Sequence, residues 1–345
     1  MKNKPKVLLI YTGGTIGMIN DPETGELKSF DFNHIHKHVP EIHRLNVELD
    51  TFSFEEPIDS SEMDALRWQQ MAQAVRDHYH AFDGFVILHG SDTMAFSASA
   101  LSFMLQGLRK PVIFTGSQLP IGTIRTDGKE NLITAIEIAA DKDQEGQPIV
   151  QEVAVYFEYS LYRGNRSSKI SANQFEAFSS PNYPDLAKAG VTINYNLDKL
   201  FRTERKELSY HSQMSSRVAL MKIFPGFNVK AYTSLFDRKI TDAIVLETFG
   251  SGNAPSNAEF RKLIEKYISD GGIILNITQC SSGSVQQGKY ATSSFFEKVV
   301  VVSGNDLTTE AAMTKVMHLL GQDRSYDQIK SDLSRSLCGE MTVSK

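Results

Sequence analysis

Short runs of apolar and β-branched residues recur along this chain, and the stretches between them carry apolar residues at helical spacing. Strand-like runs fall at 7–11, 47–54, 84–88, 111–115 and 153–157. The clearest helical stretch covers 61–79, where Trp68, Met71, Ala72, Val75 and Tyr79 share one face. Ser61 with Asp64 predicts a capping box at its start. Strands that alternate with helices are joined by crossovers, so the expected class is α/β with a doubly wound, mostly parallel sheet.

From 197 to 216 the sequence turns polar, with Arg202, Glu204, Arg205, Lys206 and Glu207 close together. This predicts a linker at 198–216 between a larger N-terminal domain, 1–197, and a smaller C-terminal α/β domain, 217–345. In the second part, 218–223, 243–247 and 273–277 read as strands, and 257–269 and 308–320 as helices.

Charge and composition narrow the function. The 345 residues hold 36 Lys and Arg against 41 Asp and Glu, a formal net charge of −5. No Lys/Arg run is dense enough to track a phosphate backbone, so no nucleic-acid partner is expected. No segment is long enough to span a bilayer. The N-terminal apolar run is too short for a signal peptide, so the expected location is the cytoplasm. The two cysteines, Cys280 and Cys338, sit in no metal-spacing motif. A reducing compartment fits them, with a single disulfide left open. No metal or other cofactor is expected.

Three strand-like runs lead into loops that pair glycine with hydroxyl side chains: Thr12-Gly13-Gly14-Thr15-Ile16-Gly17, His89-Gly90-Ser91-Asp92-Thr93 and Gly116-Ser117-Gln118-Leu119-Pro120. In a parallel sheet all three emerge at the carboxyl edge, where such folds bind ligands. The first loop lacks both the dinucleotide spacing and the Gly-Lys-Ser/Thr ending of a phosphate-binding loop. His89, Ser91 and Asp92 are sequence neighbours, which rarely converge as a triad, so His89 reads as a packed residue at a strand end. His34, His36 and His38 alternate like metal ligands but read as solvated surface. The stretch from Tyr162 to Lys169 has a plain reading as a basic surface loop. Its functional reading has Lys169 reaching the hydroxyl loops, where a lysine pressed against a hydroxyl and a carboxylate moves protons.

Taken together these motifs resemble the bacterial-type L-asparaginases, specifically the cytoplasmic type I branch. The resemblance runs from Lys6 to about Thr342, with four motifs in order: 12–17, 89–94, 161–169 and Gly252-Asn253-Ala254-Pro255. It implies hydrolysis of L-asparagine to L-aspartate and ammonia, with Thr15 as nucleophile. Ser91, Asp92 and Lys169 are implied as a proton relay. Ser60 and Ser61 are implied to hold the substrate α-carboxylate, and Asp92 its α-ammonium. Ser117, from the third loop, is counted with the substrate-binding residues. Asn253 is implied to reach a neighbouring subunit's site, in a homodimer or homotetramer.

Three departures from the family pattern carry expectations. Ser91 stands where a threonine is usual, which keeps the hydroxyl and drops the rotamer-restricting methyl. The tyrosine that commonly follows the nucleophile has no counterpart near Glu26, so an activator is expected from elsewhere, for example Tyr290. Glu247 stands where some type I members carry an effector-binding arginine, which predicts little asparagine-driven cooperativity. The alternatives weighed are a related amidase with substantial L-glutaminase activity, the asparaginase-like subunit of an archaeal amidotransferase, and a nonenzymatic amino-acid-binding protein on the same fold. The amidotransferase subunit carries an extra domain ahead of the first motif, for which Thr12 leaves no room. A binding protein would have no need of the lysine relay.

Overall fold

The computed structural model describes residues 4–20, 27–29, 39–288 and 291–342. Glu26, His34, His36, His38 and Tyr290 lie outside the described residues. Contacts divide the chain into two compact units, Met1–Ser212 and Gln213–Lys345.

In the first unit, strands β1 (Lys6–Tyr11), β2 (Glu48–Ser53), β3 (Gly84–Leu88), β4 (Val112–Thr115) and β5 (Val153–Phe157) alternate with helices α1 (Ala65–His78), α2 (Met94–Met104) and α3 (Gly128–Ala140). Strands β3, β4 and β5 are buried along their whole length, and a strand covered on both faces reads as an unbroken apolar run. Val7, Leu9, Val86, Leu88 and Ile113 form one cluster with Leu132 and Ile136 of α3. The intervening Leu8, Ile10, Phe85, Ile87 and Phe114 are also buried, and strand alternation turns them to the opposite face.

The chain then makes an antiparallel meander, β6 (Ser160–Arg163), β7 (Ala187–Ala189) and β8 (Ile193–Tyr195). The sheet order is β8-β7-β6-β5-β4-β3-β1-β2, parallel from β2 through β5. The expected α/β class and mostly parallel sheet are therefore present. After β1 the chain moves outward to β2, then returns across β1 to β3. That reversal is a topological switch point, and the crevice outside the carboxyl ends of the two central strands is where open α/β sheets bind ligands.

Two local expectations are corrected. The helix at 61–79 begins at Ala65, because extended Asp64 is its N-cap and accepts a hydrogen bond from Arg67 N at 2.9 Å. Ser61 belongs to a separate turn, Ser60–Glu62, capped by Asp59, so no Ser61–Asp64 capping box forms. The stretch 162–169 is no basic surface loop. Arg163 and Arg166 are buried. The Arg163 guanidinium donates to Glu152 Oε2 at 2.7 Å and lies over the Tyr183 ring, so its charge is paired rather than solvated. Within the polar stretch 197–216, Leu197–Lys199 forms a turn, and Ser209–Tyr210 pairs with Leu105–Gln106.

The second unit is a four-stranded parallel sheet in the order β9 (Val218–Lys222), β10 (Ala243–Thr248), β11 (Ile273–Thr278) and β12 (Val302–Ser303). Ile244, Leu246 and Ile274 pack with Phe260, Ile264 and Tyr267 of α4 (Ala258–Ser269). The alternate residues Val245 and Leu275 pack with Ala312, Val316 and Leu319 of a further helix, Thr309–Gly321. Asn257 and Thr308 cap these two helices by accepting from Phe260 N and Ala311 N. Both cysteines are free. No helix among the described residues is long and apolar enough to cross a membrane.

A buried ion pair fastens the C-terminal segment of this unit. Lys315 Nζ lies 2.8 Å from Glu340 Oε1, with both side chains fully buried. The ammonium also donates to the carbonyls of Leu333 and Arg335. Burial alone would raise the Glu340 pKa, but Lys315 and the N–H groups of Cys338 and Leu337 outweigh it and hold the carboxyl below its usual range. A carboxyl with a depressed folded pKa stabilises above its unfolded pKa, and this contribution fades as pH falls toward the folded value. Glu340→Gln, which leaves a buried ammonium without its counter-charge, should destabilise this unit by about 3–5 kcal/mol, and the apolar pair Lys315→Met with Glu340→Leu should recover little of that loss, because it strands the backbone groups of Leu333, Arg335, Leu337 and Cys338. Denaturant titration of the three proteins checks the prediction.

Candidate active site

The loop after β1 closes on two neighbours at distances that only glycine permits. A Cβ on Gly13, whose φ is +131°, would fall 2.3 Å from Ile58 O, and one on Gly14, at φ +88°, would fall 2.5 Å from Gly90 N. Any side chain there would overlap backbone and would also need a left-handed conformation. Ile58 N donates to Thr12 O at 2.8 Å, and Thr12 Oγ1 donates to Leu88 O at 2.8 Å. The loops after β1, β2 and β3 thus meet at the switch point. Thr15 opens the turn Thr15–Gly17 there and is partly exposed.

The loop after β4 joins through Gly116, where a Cβ would fall 2.3 Å from His89 O. Its shape is set by Asp127 at the start of α3. This buried carboxylate accepts from Gln118 N at 2.8 Å and Leu119 N at 3.1 Å, while Asn131 Nδ2 holds Gly116 O at 3.0 Å. Burial raises the Asp127 pKa, against the lowering effect of those N–H groups. Neither Asp127 nor Asn131 is legible as a site residue in the sequence. Their only signal is an acidic residue with glycine at the start of a helix, which is common.

Lys169 is brought in from the far side of the sheet. After β6 the turn Gly164–Arg166 leads to Ser168–Lys169, which pairs with Phe178–Ser179. The Lys169 ammonium donates to Ser91 Oγ at 2.8 Å and Asp92 Oδ1 at 2.6 Å, across 78 and 77 residues of sequence. The lysine side chain is only 15% exposed and that of Asp92 is 68% exposed. The cluster therefore has an enclosed cation and an open carboxylate, with a hydroxyl beside them.

The remaining expected binding residues differ in availability. Ser60 is buried, and its carbonyl accepts from Thr93 Oγ1 at 2.7 Å. Ser61 is exposed, and its hydroxyl donates to Asp59 Oδ1 at 2.9 Å. The N–H and hydroxyl of Ser61 hold Asp59 below the usual carboxylate range. Ser117 Oγ is buried and has no hydrogen-bond partner among the described residues. An unsatisfied buried hydroxyl is uncommon and calls for an explanation such as a ligand or water.

His89 plays a structural part. Its Nδ1 lies 2.7 Å from Gly90 O, and a carbonyl can only accept, so Nδ1 carries the proton. Its Nε2 then accepts from Ser97 Oγ at 2.9 Å, and Ser97 Oγ accepts from Trp68 Nε1 at 2.9 Å. Full burial pushes the imidazole pKa down to about 4, so the ring is neutral.

Two expected residues belong to the second unit. Asn253 sits in a tight turn after β10, where Phe249 and Asn253 exchange backbone hydrogen bonds at 2.9 Å. Glu247 is buried at the end of β10. Its Oε1 accepts from Thr309 Oγ1 at 2.5 Å, and its Oε2 lies 3.3 Å from Lys222 Nζ.

Comparison with known proteins gives the family of the chain. Residues 6–201 match the family described as asparaginase, N-terminal, and residues 217–331 match the glutaminase/asparaginase C-terminal domain. The chain is 39% identical to L-asparaginase 1 of Escherichia coli strain K12, an alignment covering 98% of each chain. Among solved structures, L-asparaginase I from Vibrio cholerae is 36% identical with a TM-score of 0.89, covering 99% of this chain and 100% of that one. The thermostable L-asparaginase from Thermococcus kodakarensis is 29% identical, also with a TM-score of 0.89, covering 98% of this chain and 100% of that one. The chain belongs to the asparaginase family.

Proposed function

We propose that this protein hydrolyses the side-chain amide of L-asparagine, giving L-aspartate and ammonia, and that it works in the cytoplasm. The observation that carries the reading is the Lys169 ammonium held between Ser91 Oγ and Asp92 Oδ1 beside the loop that bears Thr15. A free amino acid brings one ammonium and one carboxylate, and both need partners. Lys169 takes Oδ1 of the open Asp92 carboxylate, which leaves Oδ2 for the substrate ammonium. Ser60 and Ser61 flank the same loops and serve the α-carboxylate, with the Ser61 hydroxyl turning from Asp59 when substrate enters.

In this reading Thr15 Oγ1 attacks the amide carbon. The C–N bond breaks, ammonia leaves with the proton lost by Thr15, and an ester to Thr15 remains. Water then attacks the ester, releasing aspartate and restoring the hydroxyl. Ser91, Asp92 and Lys169 carry the protons between these steps. Ser117 Oγ, buried without a partner among the described residues, is available to the substrate in the same crevice. Asn253 completes the site of a neighbouring copy, in a homodimer or homotetramer.

Thr15→Ala should remain folded and lose several orders of magnitude in kcat, as removal of a nucleophile does. Ammonia release from L-asparagine, L-glutamine and D-asparagine, measured side by side, checks both the nucleophile and the substrate. Retention of a tenth of wild-type turnover would remove Thr15 from this role.

Lys169→Met and Asp92→Asn should each lower kcat severely, and the double variant should cost little more than either single one, because residues that act as a unit are not additive. The kcat values of the three variants decide this, and simple additivity would contradict a shared relay.

Regulation follows from Glu247. An effector's α-carboxylate is best held by a bidentate arginine, whereas Glu247 offers a buried carboxylate already engaged by Thr309 and Lys222. The rate should rise hyperbolically with asparagine concentration. A Hill coefficient well above one would overturn this expectation.

A further inference from the structure

We propose that Gln118 is a positioning residue that fixes the direction of the Ser91 hydroxyl, an inference that rests on the relay reading above. Its side-chain amide spans two loops: Nε2 lies 2.9 Å from Gln174 O, and Oε1 lies 3.5 Å from Ser91 Oγ. The orientation of an amide is normally an assignment rather than an observation, but chemistry settles it here. The Gln174 carbonyl can only accept, so the NH₂ group must face it, and the amide oxygen must face Ser91. An amide oxygen can only accept in turn, so Ser91 is the donor in that contact. The Ser91 oxygen is then left to accept from Lys169 Nζ at 2.8 Å.

The chain therefore runs one way, from Lys169 N–H to Ser91 O–H to the Gln118 amide oxygen. Gln118 keeps the Ser91 proton turned away from Lys169 and the Ser91 lone pair turned toward it. This matters at Ser91 because serine lacks the β-methyl that would restrict its rotamer. Gln118 is itself held through its backbone, by Gln118 N donating to Asp127 Oδ2 at 2.8 Å. A change of its side chain thus leaves the loop clamp in place. At 3.5 Å the Ser91–Gln118 contact is long for O–H···O, so its loss should cost less than that of a short hydrogen bond.

The test uses Gln118→Met, Ser91→Ala and the double variant in the full-length protein, with thermal midpoints to show that each is folded. Gln118→Met should lower kcat for L-asparagine by about two- to tenfold, the worth of one orienting hydrogen bond, and leave KM within about twofold. In the Ser91→Ala background the same substitution should change kcat little, since no hydroxyl remains to orient. An unchanged kcat in Gln118→Met, or an equal loss with and without Ser91, would overturn the proposal while leaving the relay standing. A Ser91→Ala protein with wild-type kcat would instead overturn the relay and this proposal with it.

Discussion

Backbone meets backbone at the switch point of the larger sheet. Gly13 lies against Ile58, Gly14 against Gly90, and Gly116 against His89, each so closely that a methyl group would overlap backbone atoms. Close packing of main chain at three places removes the freedom of the loops that carry Thr15, Ser91 and Ser117. Such loops would otherwise be the mobile part of the molecule. The parallel strands beneath supply the other half of the constraint, since their carboxyl ends deliver these loops to one edge.

Polar groups beneath the site extend that rigidity. His89 is neutral and fixed in one tautomer by Gly90 O and Ser97, so it anchors the base of the Ser91 loop without titrating near neutral pH. Asp127 gathers the N–H groups of Gln118 and Leu119. The loops that carry Ser91 and Ser117 are thus held from beneath by hydrogen-bonded polar groups. Preorganised dipoles of this kind need little rearrangement as charge develops in a reaction.

The sequence made the central strands legible because they are buried on both faces and therefore continuously apolar. The runs at 84–88 and 153–157 coincide with β3 and β5. The antiparallel meander was invisible, because β7 and β8 are three residues each and carry Lys188 and Asn194. Arg163 and Arg166 allowed a surface reading, since pairing with Glu152 and stacking on Tyr183 depend on residues distant in sequence. The convergence of Lys169 on the hydroxyl loops was one of two readings of 162–169, its relay with Ser91 and Asp92 was implied by the family resemblance, and the part of Gln118 was not legible at all. A glutamine after a serine carries no signal until the loop bearing Gln174 is placed beside it. Glu26 and Tyr290, on which the identity of the Thr15 activator turns, lie outside the described residues.

The central claim is that the crevice at the switch point presents Thr15 to the side-chain carbonyl of an amino acid oriented by Asp92. A crystal structure of the protein with bound L-aspartate tests it most directly. The account predicts Thr15 Oγ1 within about 3.5 Å of the side-chain carboxyl carbon, the distance of a near-attack arrangement, with the α-ammonium on Asp92 Oδ2. Aspartate seated with its side-chain carboxyl against Ser91 and away from Thr15, or bound outside this crevice, would contradict it.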